Sequence, residues 1–167
     1  MNAATTQPKG IQIVDNLLSY EKERYVAELA KLLRELVLPL IDRNLIGYKA
    51  FNHVLGLLEL GISISKEQFD EANRILLEAE FKSSTKPNAS ALYAIWAASA
   101  AISAAYQPSE IRTKHVLNNI RQAIVLDDHA RLPKSYLNQI VWLKIEEQIL
   151  PLTKTKGYES TSLQRHP

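Results

Sequence analysis

The sequence predicts an all-α fold, a single-domain helical bundle of about six helices with a central alanine-rich helix. Three observations predict it. Apolar residues recur at spacings of three and four through most of the chain, and no stretch alternates apolar and polar as a half-buried strand would. The segment from Pro87 to Ser109 contains no Asp, Glu, Lys or Arg. A helix with no charged face belongs inside the fold, with other elements packed round it. Lastly, 167 residues, 46% of them apolar, are enough for one domain with a sizeable core.

The elements follow in order. Residues 1–15 are expected to be a flexible N-terminus, residues 16–152 the helical domain, and residues 153–167 a disordered, polar C-terminal tail. The first helix should run from about Asn16 to Arg43, burying Tyr25, Leu29, Leu32, Leu33, Leu36 and Leu40. Pro39 lies within it, removes one backbone donor, and should kink or split it near Leu36 to Leu38. A second helix, Tyr48 to Leu60, places Phe51, Val54, Leu55 and Leu58 on one face, with Gly61 as a left-handed cap. The third opens on a capping box, Ser65 with Gln68, and Ile64 can staple onto Phe69. It should continue to about Glu80 with Phe69, Ala72, Ile75, Leu76 and Ala79 inward, followed by a loop over residues 82–87.

Asn88 can cap the fourth helix. Its bulky residues Leu92, Ile95, Ile102 and Tyr106 form one stripe, and Ala91, Ala94, Ala98, Ala101 and Ala105 form another. Neighbours on the alanine side can approach to roughly 8 Å, while the bulky side needs nearer 10 Å. Pro108 suits the first turn of a fifth helix, whose buried side is Val116, Leu117, Ile120, Ala123 and Ile124. A sixth runs from Lys134 or Ser135 to Leu150, with Tyr136, Leu137, Ile140, Val141 and Ile145 as core candidates and Pro151 as its stop.

Composition removes several function classes. Without cysteine there is no disulfide, thiolate nucleophile, cysteine-ligated zinc or iron–sulfur cluster. A net charge of +2 gives no strong pull towards nucleic acid or anionic membrane. The polar stretch Met1 to Lys9 is no secretory signal, and the alanine-rich segment is too weakly apolar for a good membrane span. A cytoplasmic protein is therefore expected. No glycine-rich phosphate cradle, serine elbow or HExxH motif occurs. The cluster Asp127-Asp128-His129 has metal-ligand chemistry, but acids in a break between helices are usually solvated. Glu146 and Glu147 point about 100° apart on a helix and cannot share a substrate atom. No catalytic, cofactor-binding or metal-binding residue is assigned, and no cofactor is expected.

The run Leu57 to Phe69 imitates a helix-turn-helix. Its second helix, however, carries two basic against five acidic residues between Lys66 and Glu80, which would repel phosphates. Arg112, Lys114 and Arg121 are too few for a nucleic-acid footprint. The same acidity makes the outer side of that helix, with Glu67, Asp70, Glu71, Arg74 and Glu78, a candidate face for a basic protein partner. The expected function is thus non-catalytic protein binding. A rival is a helical small-ligand-binding protein or enzyme with a polar pocket around His53, His115 or Asp127 to His129. A third is an oligomer joined through the alanine stripe. Trp96 and Trp142 are expected to fill the core.

The succession "LGLLELGISISKEQFDEANRILLEAE", "NASALYAIWAASAAISAAY", "HVLNNIRQAI" and "SYLNQIVWLKIEEQIL" resembles, over residues 36–150, the immunity-protein family with an alanine-rich helical core found at bacterial polymorphic-toxin loci. The resemblance implies a cytoplasmic protein that neutralises a toxin by binding it, without catalysis. It transfers no site residues.

Overall fold

The computed structural model describes residues 9–44, 47–61, 63–83, 89–127 and 130–165. In chain order these form α1 (Lys9–Leu18), α2 (Lys22–Leu32), a π-helical turn (Leu33–Val37), α3 (Leu38–Asn44), α4 (Tyr48–Glu59), α5 (Lys66–Ser83), α6 (Ala89–Tyr106), α7 (Glu110–Val125) and α8 (Lys134–Arg165). No strand occurs among the described residues. With α2, the π turn and α3 counted as one continuous rod, the described residues form seven rods, an all-α bundle of about the six helices that the sequence predicts. The addition is α1, which begins inside the stretch expected to be flexible. Its Ile13, Val14 and Leu17 are buried in the common core. What was expected as one helix from Asn16 is broken at Ser19, whose hydroxyl turns back to donate to the Asn16 carbonyl at 2.6 Å.

Pro39 does not split the rod. The helix widens just before it, and the Leu38 amide donates to the Leu33 carbonyl, five residues back. A proline ring crowds the carbonyl four residues earlier, and a π turn is one way to relieve that crowding without losing the rod. Two other boundaries also move. Ser109, in extended conformation, caps α7 by accepting from the Arg112 amide at 3.1 Å, so Pro108 lies before the helix and not in its first turn. The backbone of α8 continues through Pro151 to Arg165, where the sequence predicts a stop and a disordered tail. Proline removes one hydrogen bond from a helix, which lowers its stability without forbidding continuation.

At the centre lies α6. Ala91, Ala94, Ala97, Ala98, Ala101, Ala104 and Ala105 are all buried, as are Ile95 and Ile102. α6 approaches α7 over a longer stretch than any other pair of helices, and it also touches α2, α3, α4 and α5. Small side chains permit that approach. The Ser90 hydroxyl donates across it to the Ala123 carbonyl at 2.6 Å. By length and composition α6 could cross a membrane, but here more than half of it is buried against protein neighbours. The alanine stripe is buried within one chain, which leaves the alternative of an oligomer joined through it without a surface. A buried pair ties α2 to α7: Thr113 donates to the Ser109 carbonyl at 2.7 Å, leaving the Tyr25 hydroxyl to donate to Thr113 Oγ1 at 2.6 Å. Burial raises the Tyr25 pKa further from neutrality.

One ionisable core group is less well served. Glu28 on α2 is only 2% exposed, and its Oε1 accepts no hydrogen bond. The nearby Lys31 ammonium reaches instead to the Gln148 carbonyl of α8 at 2.8 Å. Burial pushes the Glu28 pKa above the ordinary 4.5, and the charges of Lys31 and Arg24 only partly oppose this. A carboxyl raised in this way holds its proton more tightly folded than unfolded. Its cost is absent below the unfolded pKa, grows as pH rises towards the folded value, and is complete above it. Glu28→Gln should therefore stabilise the protein by about 1 kcal/mol at neutral pH, and the gain should vanish below about pH 4. Urea unfolding of both proteins across that range measures the difference.

Candidate protein-binding face

The first turn of α5 is built as the sequence predicts. Ser65 Oγ accepts from the Gln68 amide at 3.1 Å, and Gln68 Oε1 accepts from the Ser65 amide at 3.0 Å. This reciprocal cap fixes where the helix begins and hence which way each later side chain points. Ala72 and Leu76 are buried, and Phe69, Ile75 and Ala79 pack half-buried against the core. Phe69 stacks on Tyr106 of α6 with ring centroids 4.6 Å apart. The opposite side of α5 is left to solvent.

All five residues proposed for that side lie on it and are exposed: Glu67, Asp70, Glu71, Arg74 and Glu78. They are not a bare negative patch. The Arg74 guanidinium pairs with Glu71 at 2.7 Å and Glu78 at 2.8 Å, and Lys66 pairs with Asp70 at 3.3 Å. The hydrogen bond from Arg74 holds the Glu71 carboxyl below its ordinary range, and the guanidinium charge acts in the same direction. Five acids against two cations still leave this helix negative between Lys66 and Glu80.

Sequence reasoning missed the apolar part of the face. Leu77 is 63% exposed and Phe81 77% exposed. At 100° per residue they lie about 40° apart, one turn removed from each other, beside Asp70 and Arg74. The helical wheel contains that signal for Leu77. Phe81 was out of reach because α5 was expected to end near Glu80, and the structure carries it on to Ser83. Two large apolar side chains rimmed by carboxylates make a surface able to bury hydrocarbon and to orient a positively charged neighbour.

The basic residues of α7 are engaged within the chain. Arg112 Nε donates to Ser103 Oγ at 3.3 Å, Lys114 pairs with Glu110 at 2.9 Å, and Arg121 donates to Asn138 at 3.2 Å. His53 and His115 are exposed on separate helices, α4 and α7. Of the cluster Asp127 to His129, Asp127 is buried and the other two lie outside the described residues. No three His, Asp or Glu side chains converge among the described residues. Trp96 and Trp142 are half-buried, Trp96 meeting Tyr93 edge to face at 5.0 Å. Tyr136, expected in the core, is exposed on α8, because the inward face of that helix is set by Leu137, Val141, Ile145 and Ile149.

Two concavities open elsewhere. One of about 380 Å³ lies between the π turn, the end of α7 and α8, with Glu35, Asp127, Arg131 and Lys144 among its walls. The other, about 210 Å³, lies between α1, α7 and α8 beside Trp142. There the indole ring covers Gly10, at which an added Cβ would stand 3.0 Å from the ring. No family model, curated protein or solved structure matches the chain.

Proposed function

We propose that this domain acts without catalysis, by docking one protein partner on the outer face of α5. The carrying observation is the exposed pair Leu77 and Phe81 on a helix whose flank is acidic. The partner that fits is a protein with an apolar patch ringed by Lys and Arg. Burial of the two side chains supplies affinity, and Glu67, Glu71 and Glu78 steer the approach. Neither nucleic acid nor a membrane fits so negative a face. The resemblance to immunity proteins supports a more specific reading: a cytoplasmic protein that neutralises a toxin by covering its working surface.

The test uses the purified product of the adjacent gene as the candidate toxin. The intact chain should bind it and abolish its activity. Leu77→Ser with Phe81→Ser should weaken binding at least tenfold, while unfolding stability changes little, because both side chains are exposed. Glu67→Lys with Glu71→Lys should slow association and flatten its dependence on salt. Neutralisation by the Leu77/Phe81 variant at the unaltered level would remove this face from the function. A chain that sediments as a dimer until Phe81 is replaced would reassign the face to self-association.

A further inference from the structure

The cleft beside the π turn is lined by charged side chains of both signs. Glu35 stands on the π turn, and Asp127 lies two residues past the C-terminal end of α7, where the helix's own partial charge is negative. Arg131, in the segment between α7 and α8, and Lys144, on α8, line the same cleft. Between them lie apolar side chains, among them Leu40, Ile124 and Leu137, which are buried. Glu35, Arg131 and Lys144 enter no ion pair among the described residues, whereas Arg34 on the same turn holds Glu59 by two hydrogen bonds, at 2.5 Å to Oε2 and 2.6 Å to Oε1. Glu35 and the two cations Arg131 and Lys144 share the cleft without meeting and are separated by a gap. A ligand bearing both charges can bridge it, and the apolar floor can take that ligand's hydrocarbon.

The geometry points to a binding site for a small zwitterion with an apolar side chain, a free α-amino acid of the leucine or phenylalanine kind. Arg131 and Lys144 receive the carboxylate, Glu35 receives the ammonium, and the floor buries the side chain. The π turn contributes by widening the wall that carries Glu35 and Leu36, a distortion that recurs at functional sites in helices. This site lies on different helices from the α5 face, so it stands or falls separately from the docking reading.

Calorimetric titration and thermal unfolding of the full chain test it, with L-leucine and L-phenylalanine as probes. Single-charge analogues, 4-methylpentanoate and 3-methylbutylamine, and the uncharged N-acetyl-leucinamide serve as comparisons. The zwitterions should bind and raise the melting temperature, and each analogue should bind roughly tenfold more weakly or not at all. Lys144→Glu and Glu35→Lys should each weaken zwitterion binding by roughly tenfold while leaving the unliganded melting temperature nearly unchanged, since both side chains are exposed. No heat or thermal shift with either amino acid would overturn the proposal. So would equal binding of 4-methylpentanoate. A double-mutant cycle showing that Glu35 and Lys144 stabilise each other without ligand would overturn it as well, because the two walls would then pair directly.

Discussion

Replacing Ala98 with leucine is expected to destabilise the domain by about 1–3 kcal/mol. Ala98 has no exposed surface, and neither has Ala94, Ala97 or Ala101 around it. Three added carbon atoms must therefore push α6 away from a neighbour or force a strained rotamer. Interiors are packed too tightly to absorb that volume elsewhere. For a chain of this size such a loss lowers the melting temperature by roughly 2–4 °C for each kcal/mol. Ala89→Leu is the control: it sits on the same helix but is exposed, and should be nearly neutral. Equal behaviour of the two variants in chemical denaturation would mean that the alanine face of α6 is not tightly packed.

Gly47→Ala is expected to cost a similar amount, by two separable routes. Gly47 precedes α4 with φ at +72°, a left-handed conformation that L residues avoid by about 1–2 kcal/mol. In addition, a Cβ there would lie 2.9 Å from Ile95 Cδ1 and 3.0 Å from its Cγ1. The flexible end of that side chain must move, and it is itself buried in α6. Gly61 isolates the first route. Its φ is +70°, and nothing lies within 4 Å of the added atom. Gly61→Ala should thus be milder than Gly47→Ala. Adding Ile95→Val, which deletes Cδ1, should recover part of the Gly47→Ala loss and none of the Gly61→Ala loss. Equal costs at the two glycines would show that the crowding against Ile95 is unimportant.

The helices and their inward faces were largely legible along the chain. The capping box of α5, the left-handed Gly61, and the buried positions of α4, α6 and α7 all rest on local chemistry or on the 3.6-residue period. Both are visible in a single segment. The acidic side of α5 was legible for the same reason, and so was the pairing of Arg74 with neighbours three and four residues away. Leu77 and Phe81 were harder. Residue type does not say whether an apolar side chain is covered or left exposed, and one boundary misplaced by a turn hid Phe81.

Other features depend on where the rods go. Without a capping signal α1 reads as a polar leader, and it becomes a helix with a buried face because α7 and α8 are there to receive it. The cleft is lined from residues 35–40, from 124–127 with 130–132, and from 137–144, parts of the chain that meet only once the bundle is assembled. Glu28 sits on the helix among charged neighbours, and nothing local distinguishes it from an exposed glutamate. From the sequence alone came the class of fold, the identity of its central helix and the sign of one outer face, because periodicity, capping and charge act within a few residues. The tertiary structure alone decided which apolar side chains stay in solvent, which carboxyl loses it, and where unlike charges share a cleft. Burial is a relation between segments far apart in the chain, and short-range preferences do not encode it.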